Sequence, residues 1–123
     1  MPEVITSTLQ IRVGSGFISG SNSTSATQAG TENFGGTQNI AAGTGNGVAV
    51  NVGAVNSSGD ILIENTDITN YVEIANVEAM TGWPQKILAG KSILLHPTVN
   101  NPPVLYARAN TTAVNIRVVA VEL

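Results

Sequence analysis

Alternating apolar and polar positions are the strongest pattern in this chain, and they concentrate in its second half. From residue 60 onwards, hydrophobic side chains recur at every second position in several short runs. This spacing puts apolar residues on one face of an extended chain, so it predicts β-strands rather than helices. The residues that carry the pattern are Ile61, Ile63, Val72, Ile74, Leu105, Ala107, Ala109, Val114, Ile116, Val118 and Ala120.

Short polar segments rich in Asn, Gly, Pro and Thr separate these runs. They occupy residues 65–67, 82–84, 89–91, 100–103 and 110–112. Gly tolerates positive φ, Pro presets φ near −65°, and Asn bonds to its own backbone, so these residue types favour turns. The pattern therefore predicts a single all-β domain over residues 1–123 without a long helix.

Two further strands are predicted in the first half of the chain. Residues 6–13 place Leu9, Ile11 and Val13 on one face and polar side chains on the other. Residues 48–52 alternate in the same way. From all these runs we expect the core to include Leu9, Ile11, Val50, Val52, Ile61, Ile63, Val72, Ile74, Ile93, Leu95, Leu105, Ile116 and Val118.

The glycine-rich segment between these strands, residues 14–47, reads as an arm or a long loop. Gly, Ser, Thr and Asn dominate it, and burial of such residues does not repay the entropy cost of ordering the backbone. We expect this arm, with the N-terminal strand, to contact neighbouring chains. Its only large apolar residues, Phe17, Ile18, Phe34 and Ile40, are candidate interface residues.

Three further interface candidates come from the second half. Trp83, the only tryptophan, lies in a predicted turn, where an aromatic side chain can fill a pocket of a partner or close the end of its own domain. Val119 and Val121 alternate with predicted core residues and so point the opposite way. We expect a neighbouring chain to cover this last strand.

Composition indicates a weakly charged surface. Only 11% of the residues are charged, against roughly a quarter in ordinary proteins, and 42% are hydrophobic. Such an exterior favours a chain that functions in an assembly or outside a cell. The net charge is −3 and the five basic residues form no run, so nucleic acid is not an expected partner.

The chain contains no cysteine, which excludes disulfides and thiolate metal sites, so packing or partner chains must hold the fold. Its first residues lack the basic start and continuous apolar stretch of a signal peptide, and no window has the length and hydropathy of a membrane span. We therefore expect synthesis in a cytoplasm and no membrane partner.

No pattern of catalytic, metal-binding or cofactor-binding residues is found, so the protein is not expected to be an enzyme. The segment 89–92 resembles the end of a phosphate-binding loop, but that motif needs glycine where Gln85 stands and a helix where a strand is predicted. His96 is the only histidine and has no nucleophile motif beside it. Glu64 and Glu73 fall on the polar faces of their strands, where solvated charge is expected.

Four segments of the second half carry a resemblance to a protein family. They are IENTD (63–67), TNYVEI (69–74), ILAGKSILL (87–95) and LYARANTTAV (105–114). Their succession of strands and turns resembles that of small β-rich virion proteins of tailed bacteriophages.

The resemblance implies a capsid decoration, or cement, protein. Such proteins are non-enzymatic β-sandwiches, often jelly-roll-like, that commonly form homotrimers and bind the major capsid protein on the outer surface of the virion. Two alternatives stay open. One is a different virion subunit from the tail, the head-completion complex or a fibre; the other is a carbohydrate-binding or host-adhesion module.

Overall fold

The computed structural model of the chain describes residues 4–13, 18–27, 33–55, 60–81, 84–95 and 105–121, and for 4–13, 18–27 and 33 it describes the backbone alone. All regular structure in these residues is β-strand, and they include no helix, as the alternating pattern predicts. The strands are β1 (Val4–Val13), β2 (Ile18–Thr27), β3 (Asn33–Ile40), β4 (Val48–Ala49), β5 (Ile61–Asn65), β6 (Val72–Ala75), β7 (Gln85–Ile87), β8 (Ser92–Leu95), β9 (Tyr106–Ala109) and β10 (Val114–Val121).

Eight of these strands form two four-stranded antiparallel sheets. The first sheet has the order β3-β10-β5-β8, and the second has the order β4-β9-β6-β7. Buried residues of both sheets belong to one hydrophobic cluster, so the two sheets enclose a common core as a β-sandwich. The remaining two strands, β1 and β2, pair only with each other and form a separate antiparallel hairpin.

Strand β10 shows how alternation positions the core. It is a central strand, because it pairs with β3 on one side and with β5 on the other. Val114, Ile116 and Val118 are fully buried, whereas the intervening Asn115 and Arg117 are exposed. The same alternation in β5 buries Ile61 and Ile63, so the inner face of the first sheet is a continuous aliphatic surface.

Most of the predicted core residues with described side chains are confirmed as buried. They are Val50, Ile61, Ile63, Val72, Ile74, Leu105, Ile116 and Val118. Val52, Ile93 and Leu95 are partly buried and pack against the cluster. Leu9 and Ile11 lie in β1, where only the backbone is described.

Residues 14–47, which the sequence suggests as an arm or a long loop, contain two strands among their described residues. Residues 18–27 form β2, which pairs along its whole length with β1, and residues 33–40 form β3, an edge strand of the first sheet. The physical reason is backbone pairing. An eight-residue ladder with β10 supplies the hydrogen bonds that order β3, although its side chains bring little apolar surface.

Ile40 must accordingly be corrected from an interface candidate to a core residue. It ends β3 opposite Val114, and it is fully buried within the cluster. Phe34, at the other end of β3, is half-buried and packs against the same cluster. Its ring also occupies the space beside Gly53, where a Cβ would lie 2.6 Å from Phe34 Cδ2. Both residues serve the fold of their own chain.

Candidate functional site

The outer face of the first sheet carries the best-defined apolar surface among the described residues. The register aligns Leu94 of β8, Leu62 of β5 and Val119 of β10 in one row across the sheet. The row continues to Gly35 of β3. A Cβ atom added to Gly35 would have no atom within 4 Å, so the space above this residue is open. Leu94, Leu62 and Val119 are each half-buried, so part of their apolar surface is accessible. We call this set, together with Val121, the outer apolar row.

A polar row borders it. Two residues further along the strands, Ser92, Glu64, Arg117 and Thr37 align in the same way. Arg117 Nη2 lies 2.9 Å from Glu64 Oε2, and Arg117 Nε donates a second hydrogen bond of 3.1 Å to the same oxygen. Since the ion pair is exposed, its contribution to stability is small. It marks the border at which the apolar row gives way to charged residues.

The outer face of the second sheet is polar and aromatic. Arg108 of β9 and Glu73 of β6 are paired in register and form a half-buried ion pair, with Nη2 2.7 Å from Oε2. Arg108 Nη1 also donates to the carbonyl oxygen of Gly45. On the other side of Glu73, Lys86 places Nζ 4.0 Å from the centre of the Tyr71 ring, a cation–π contact. Both cations of this row therefore have partners within the chain.

A groove opens where the edges of the two sheets meet. β7 is one edge strand of the second sheet and β8 is one edge strand of the first, and no other described strand pairs with their outer sides. Between them lies a half-open cavity of about 490 Å³. We call it the edge groove; its walls are Ile74, Ala75, Asn76, Val77, Thr81, Gln85, Ile93, Leu95 and Leu105. No lining residue carries a charge.

A polar network closes one end of the sandwich. The amide of Asn65, the only buried polar residue among those described, donates to the carbonyl oxygens of Asn70 and Ile87. Its Oδ1 accepts from the backbone N–H of Asp67. Asp67 Oδ1 in turn accepts from the N–H groups of Thr69 and Asn70. Every atom of the Asn65 amide thus has a backbone partner, which is typical of a structural role.

The pKa of Asp67 is lowered from its ordinary value. The main cause is the hydrogen bond from the backbone N–H of Asn70, followed by the one from Thr69, since both favour the charged carboxylate. In the described part of the chain, no three His, Cys, Asp or Glu side chains lie close enough together to hold a metal ion. Asp67 is best understood as a turn residue that fixes residues 65–70.

The segment 89–92 is a turn followed by a strand. Gly90 has a φ of 70° and donates its N–H to the carbonyl oxygen of Asn65, and β8 follows directly. A phosphate-binding loop would need a helix at this position. The turn does not connect two paired strands, because β7 and β8 belong to different sheets. The segment therefore carries the chain from one sheet of the sandwich to the other. His96 lies outside the described residues.

The interface candidates whose side chains are described do not form one surface. Val119 and Val121 lie on the outer face of β10, as predicted, and Ile40 and Phe34 belong to the core. Ile18 begins β2, with its backbone alone described. Phe17 and Trp83 lie outside the described residues. The core prediction for their neighbours already implied that Leu62 and Leu94 face outward, but the sequence does not show which strands become neighbours, so the row could not be recognised.

Comparison with known proteins returns no relative. No family model matches the chain, and no curated protein and no solved structure matches it either. The residues that the structure describes include no helix of the length and hydropathy that a membrane span requires.

Proposed function

We propose that this protein is a non-enzymatic structural protein of a tailed bacteriophage that decorates the outer surface of the capsid and stabilises its lattice. The observation that carries the proposal is the division of the chain into a β-sandwich and a hairpin that pairs with neither of its sheets. A two-stranded hairpin is marginally stable by itself in water, so it suits a chain that works in contact with other chains.

The assignment to phage virion proteins in this proposal rests on the sequence resemblance. The four segments that resemble small phage virion proteins contain the end of β5, most of β6, all of β8, and β9 with the turn that follows it, which are parts of the sandwich. The proposal therefore includes a jelly-roll-like topology, a homotrimer and the major capsid protein as partner, with synthesis in the host cytoplasm. It includes no cofactor, no nucleic acid and no membrane.

The proposed mechanism is stabilisation by binding. Packaged DNA pushes the capsid subunits apart, and a protein that binds only the expanded lattice adds its binding free energy to the stability of that lattice. A cyclic trimer on a threefold position engages three identical surfaces at once, so weak individual contacts give high avidity. The low charge of the chain suits broad contacts with neutral polar surfaces.

The test is sedimentation of the purified chain with capsids of the phage that encodes it. We expect binding to expanded capsids, no binding to unexpanded precursors, and a higher disruption temperature of the decorated shells. Cryo-electron microscopy of the virion should place the protein on the outer capsid surface. Its presence only in the tail, a fibre or the head-completion complex would contradict the decoration function and favour a different virion subunit.

A carbohydrate-binding or host-adhesion module is the second candidate. One observation favours it: alternation puts Tyr71 and Tyr106 on the same outer face of the second sheet as the Arg108–Glu73 pair. Flat sheet faces that combine aromatic rings with hydrogen-bonding side chains suit sugar rings. Binding to a glycan array that Tyr71→Ala abolishes, together with no affinity for capsids, would establish this function instead.

A further inference from the structure

Asn46 and Gly47 form the only Asn–Gly pair in the sequence. Such a pair is chemically labile, because glycine has no side chain to hinder attack of its backbone nitrogen on the amide of the preceding asparagine. Asn46 is exposed and lies just before β4, outside any strand. Whether the pair reacts therefore depends on how the backbone around it is held.

The reaction is deamidation through a cyclic imide. The backbone nitrogen of Gly47 gives up its proton to hydroxide and bonds to the side-chain carbonyl carbon of Asn46. The side-chain nitrogen leaves as ammonia after it takes a proton from water. A second water molecule then opens the ring at either carbonyl group, which gives aspartate or isoaspartate. In sum, water is consumed and ammonia is released, and both products carry an additional negative charge at neutral pH.

The fold withholds the attacking nitrogen. Gly47 donates its N–H to the carbonyl oxygen of Glu78 at 2.7 Å, so its proton is held in a short hydrogen bond. Little space is left for the residue to turn, since a Cβ at Gly47 would lie 2.6 Å from Met80 Sδ and 3.2 Å from the carbonyl oxygen of Ala107. While these contacts persist, the nitrogen keeps its proton and its orientation.

The peptide group before Asn46 is fixed as well. Arg108 Nη1 donates a hydrogen bond of 2.8 Å to the carbonyl oxygen of Gly45, and an ion pair of 2.7 Å with Glu73 holds the same guanidinium. Asn46 is thus restrained through the peptide groups on both of its sides. Ring closure requires rotation about the backbone of Asn46 until the reacting atoms approach, and these two bonds restrict that rotation.

This restrained segment lies at an edge of the sandwich. β4, which follows it, consists of only two residues, Val48 and Ala49, and both are exposed. Among the described strands, β4 is an edge strand and pairs with β9. Local opening at such an edge requires less free energy than unfolding of the whole domain. Opening breaks the bond between Gly47 and Glu78 and gives base access to the nitrogen.

We propose that Asn46 is a modification site that the folded chain keeps unreacted, and that it deamidates when residues 45–47 separate from Arg108 and from the turn at residues 77–80. The conversion of Asn46 then reports the opening of this edge rather than the unfolding of the domain. The inference is independent of the proposed function, because it requires neither a capsid nor an oligomer.

Peptide mapping by mass spectrometry measures the conversion while the purified chain is incubated at mildly alkaline pH. We expect the folded chain to react at least about tenfold more slowly than the same chain unfolded in urea, since opening must precede the reaction. Arg108→Gln removes the bond to Gly45 and should raise the rate in the folded chain about fivefold, as expected for one lost hydrogen bond. Arg117→Gln is the matched control, because it breaks the other Arg–Glu pair and leaves Gly45 held, so the rate should not change.

Hydrogen exchange of the natural chain tests the opening without any substitution. The Gly47 amide should exchange faster than the Val118 amide, which belongs to the central strand β10 and is released only when the sandwich unfolds. Circular dichroism verifies that the two arginine variants fold. If Arg108→Gln does not fold, the comparison of the two amides decides.

Three results would overturn the inference. Equal rates of conversion in the folded chain and in urea would mean that the fold does not protect Asn46. Equal rates in folded Arg108→Gln and Arg117→Gln would mean that Arg108 does not restrain the site. Exchange of the Gly47 amide as slow as that of Val118 would mean that the site opens only when the whole domain unfolds.

Discussion

The side chain of Asn65 on β5 donates a hydrogen bond of 3.0 Å to the carbonyl oxygen of Ile87 on β7, and so joins the two sheets of the sandwich. The bond is buried, and the same amide also binds the backbone at Asn70 and Asp67. A buried polar group is tolerated when all its partners are present, and its removal leaves those partners without bonds.

We therefore expect Asn65→Ala to lower the free energy of unfolding by about 3 kcal/mol, since it leaves buried backbone groups unpaired and opens a small cavity. Chemical denaturation followed by circular dichroism measures the loss. Asn39→Ala is the matched control, because it removes only an exposed amide–amide bond to Asn115 and should change stability by less than about 0.5 kcal/mol. Equal losses in the two variants would contradict the structural role of Asn65.

Gly47 should be intolerant of a side chain. A Cβ at this position would lie 2.6 Å from Met80 Sδ, 3.0 Å from Tyr106 Cβ and 3.2 Å from the carbonyl oxygen of Ala107. Gly47→Ala is expected to lower the unfolding midpoint by an amount equivalent to about 1–3 kcal/mol, because the added methyl group would overpack this site. Gly45→Ala, two residues away, meets no atom within 4 Å and should leave the midpoint nearly unchanged. A midpoint for Gly47→Ala equal to that of Gly45→Ala would refute the close approach.

The outer apolar row should matter more for assembly than for folding. Val121→Lys puts a charge on the half-buried outer face of β10, away from the core. We expect the unfolding free energy of the subunit to change by less than about 1 kcal/mol and the dissociation constant of the proposed homotrimer to rise about tenfold or more. Light scattering over a dilution series and calorimetry give the two quantities. Asn39→Lys, on the polar part of the same sheet face, is the control and should leave the dissociation constant of the proposed homotrimer unchanged.

Asp67 makes stability depend on pH in the acidic range. Its pKa is lower in the folded chain than in the unfolded chain, so its stabilising contribution is present above about pH 4. The contribution disappears as the pH falls through the folded pKa, because the folded state must then take up a proton at a site that favours the charged form. Asp67→Asn removes this titration, so thermal unfolding measured from pH 2 to pH 5 should show a smaller slope for the variant. Identical slopes would contradict the assignment.

The alternating pattern was sufficient for the strands that have one buried face and one exposed face. β5, β6, β9 and β10 follow it, and their predicted core residues Ile63, Val72 and Ile116 are buried. β3 could not be found in this way, because its composition is rich in glycine and polar residues. It is a strand because it pairs with β10. Ile40 was assigned to an interface for the same reason.

The candidate surfaces were less predictable, because they depend on which strands become neighbours. The outer apolar row exists only because Leu62, Leu94 and Val119 fall in register on three strands that are distant in sequence. The role of Asn65 was hidden by its residue type, since asparagine before Thr66 and Asp67 is typical of a turn. Asn65 is buried because β7 packs against it, and this contact cannot be predicted from the residues that neighbour Asn65 in the sequence.

The pairing of β3 with β10 also has a consequence for how the protein is made. These are the first and last strands of the sandwich along the chain, and Asn33 lies opposite Val121. Ribosomes add roughly 5–20 residues per second, so β3 leaves the ribosome several seconds before the strand it needs. Contacts between residues so far apart in sequence also form slowly. The sandwich is therefore completed only after β10 has left the ribosome, and until then β3 lacks the strand with which it pairs.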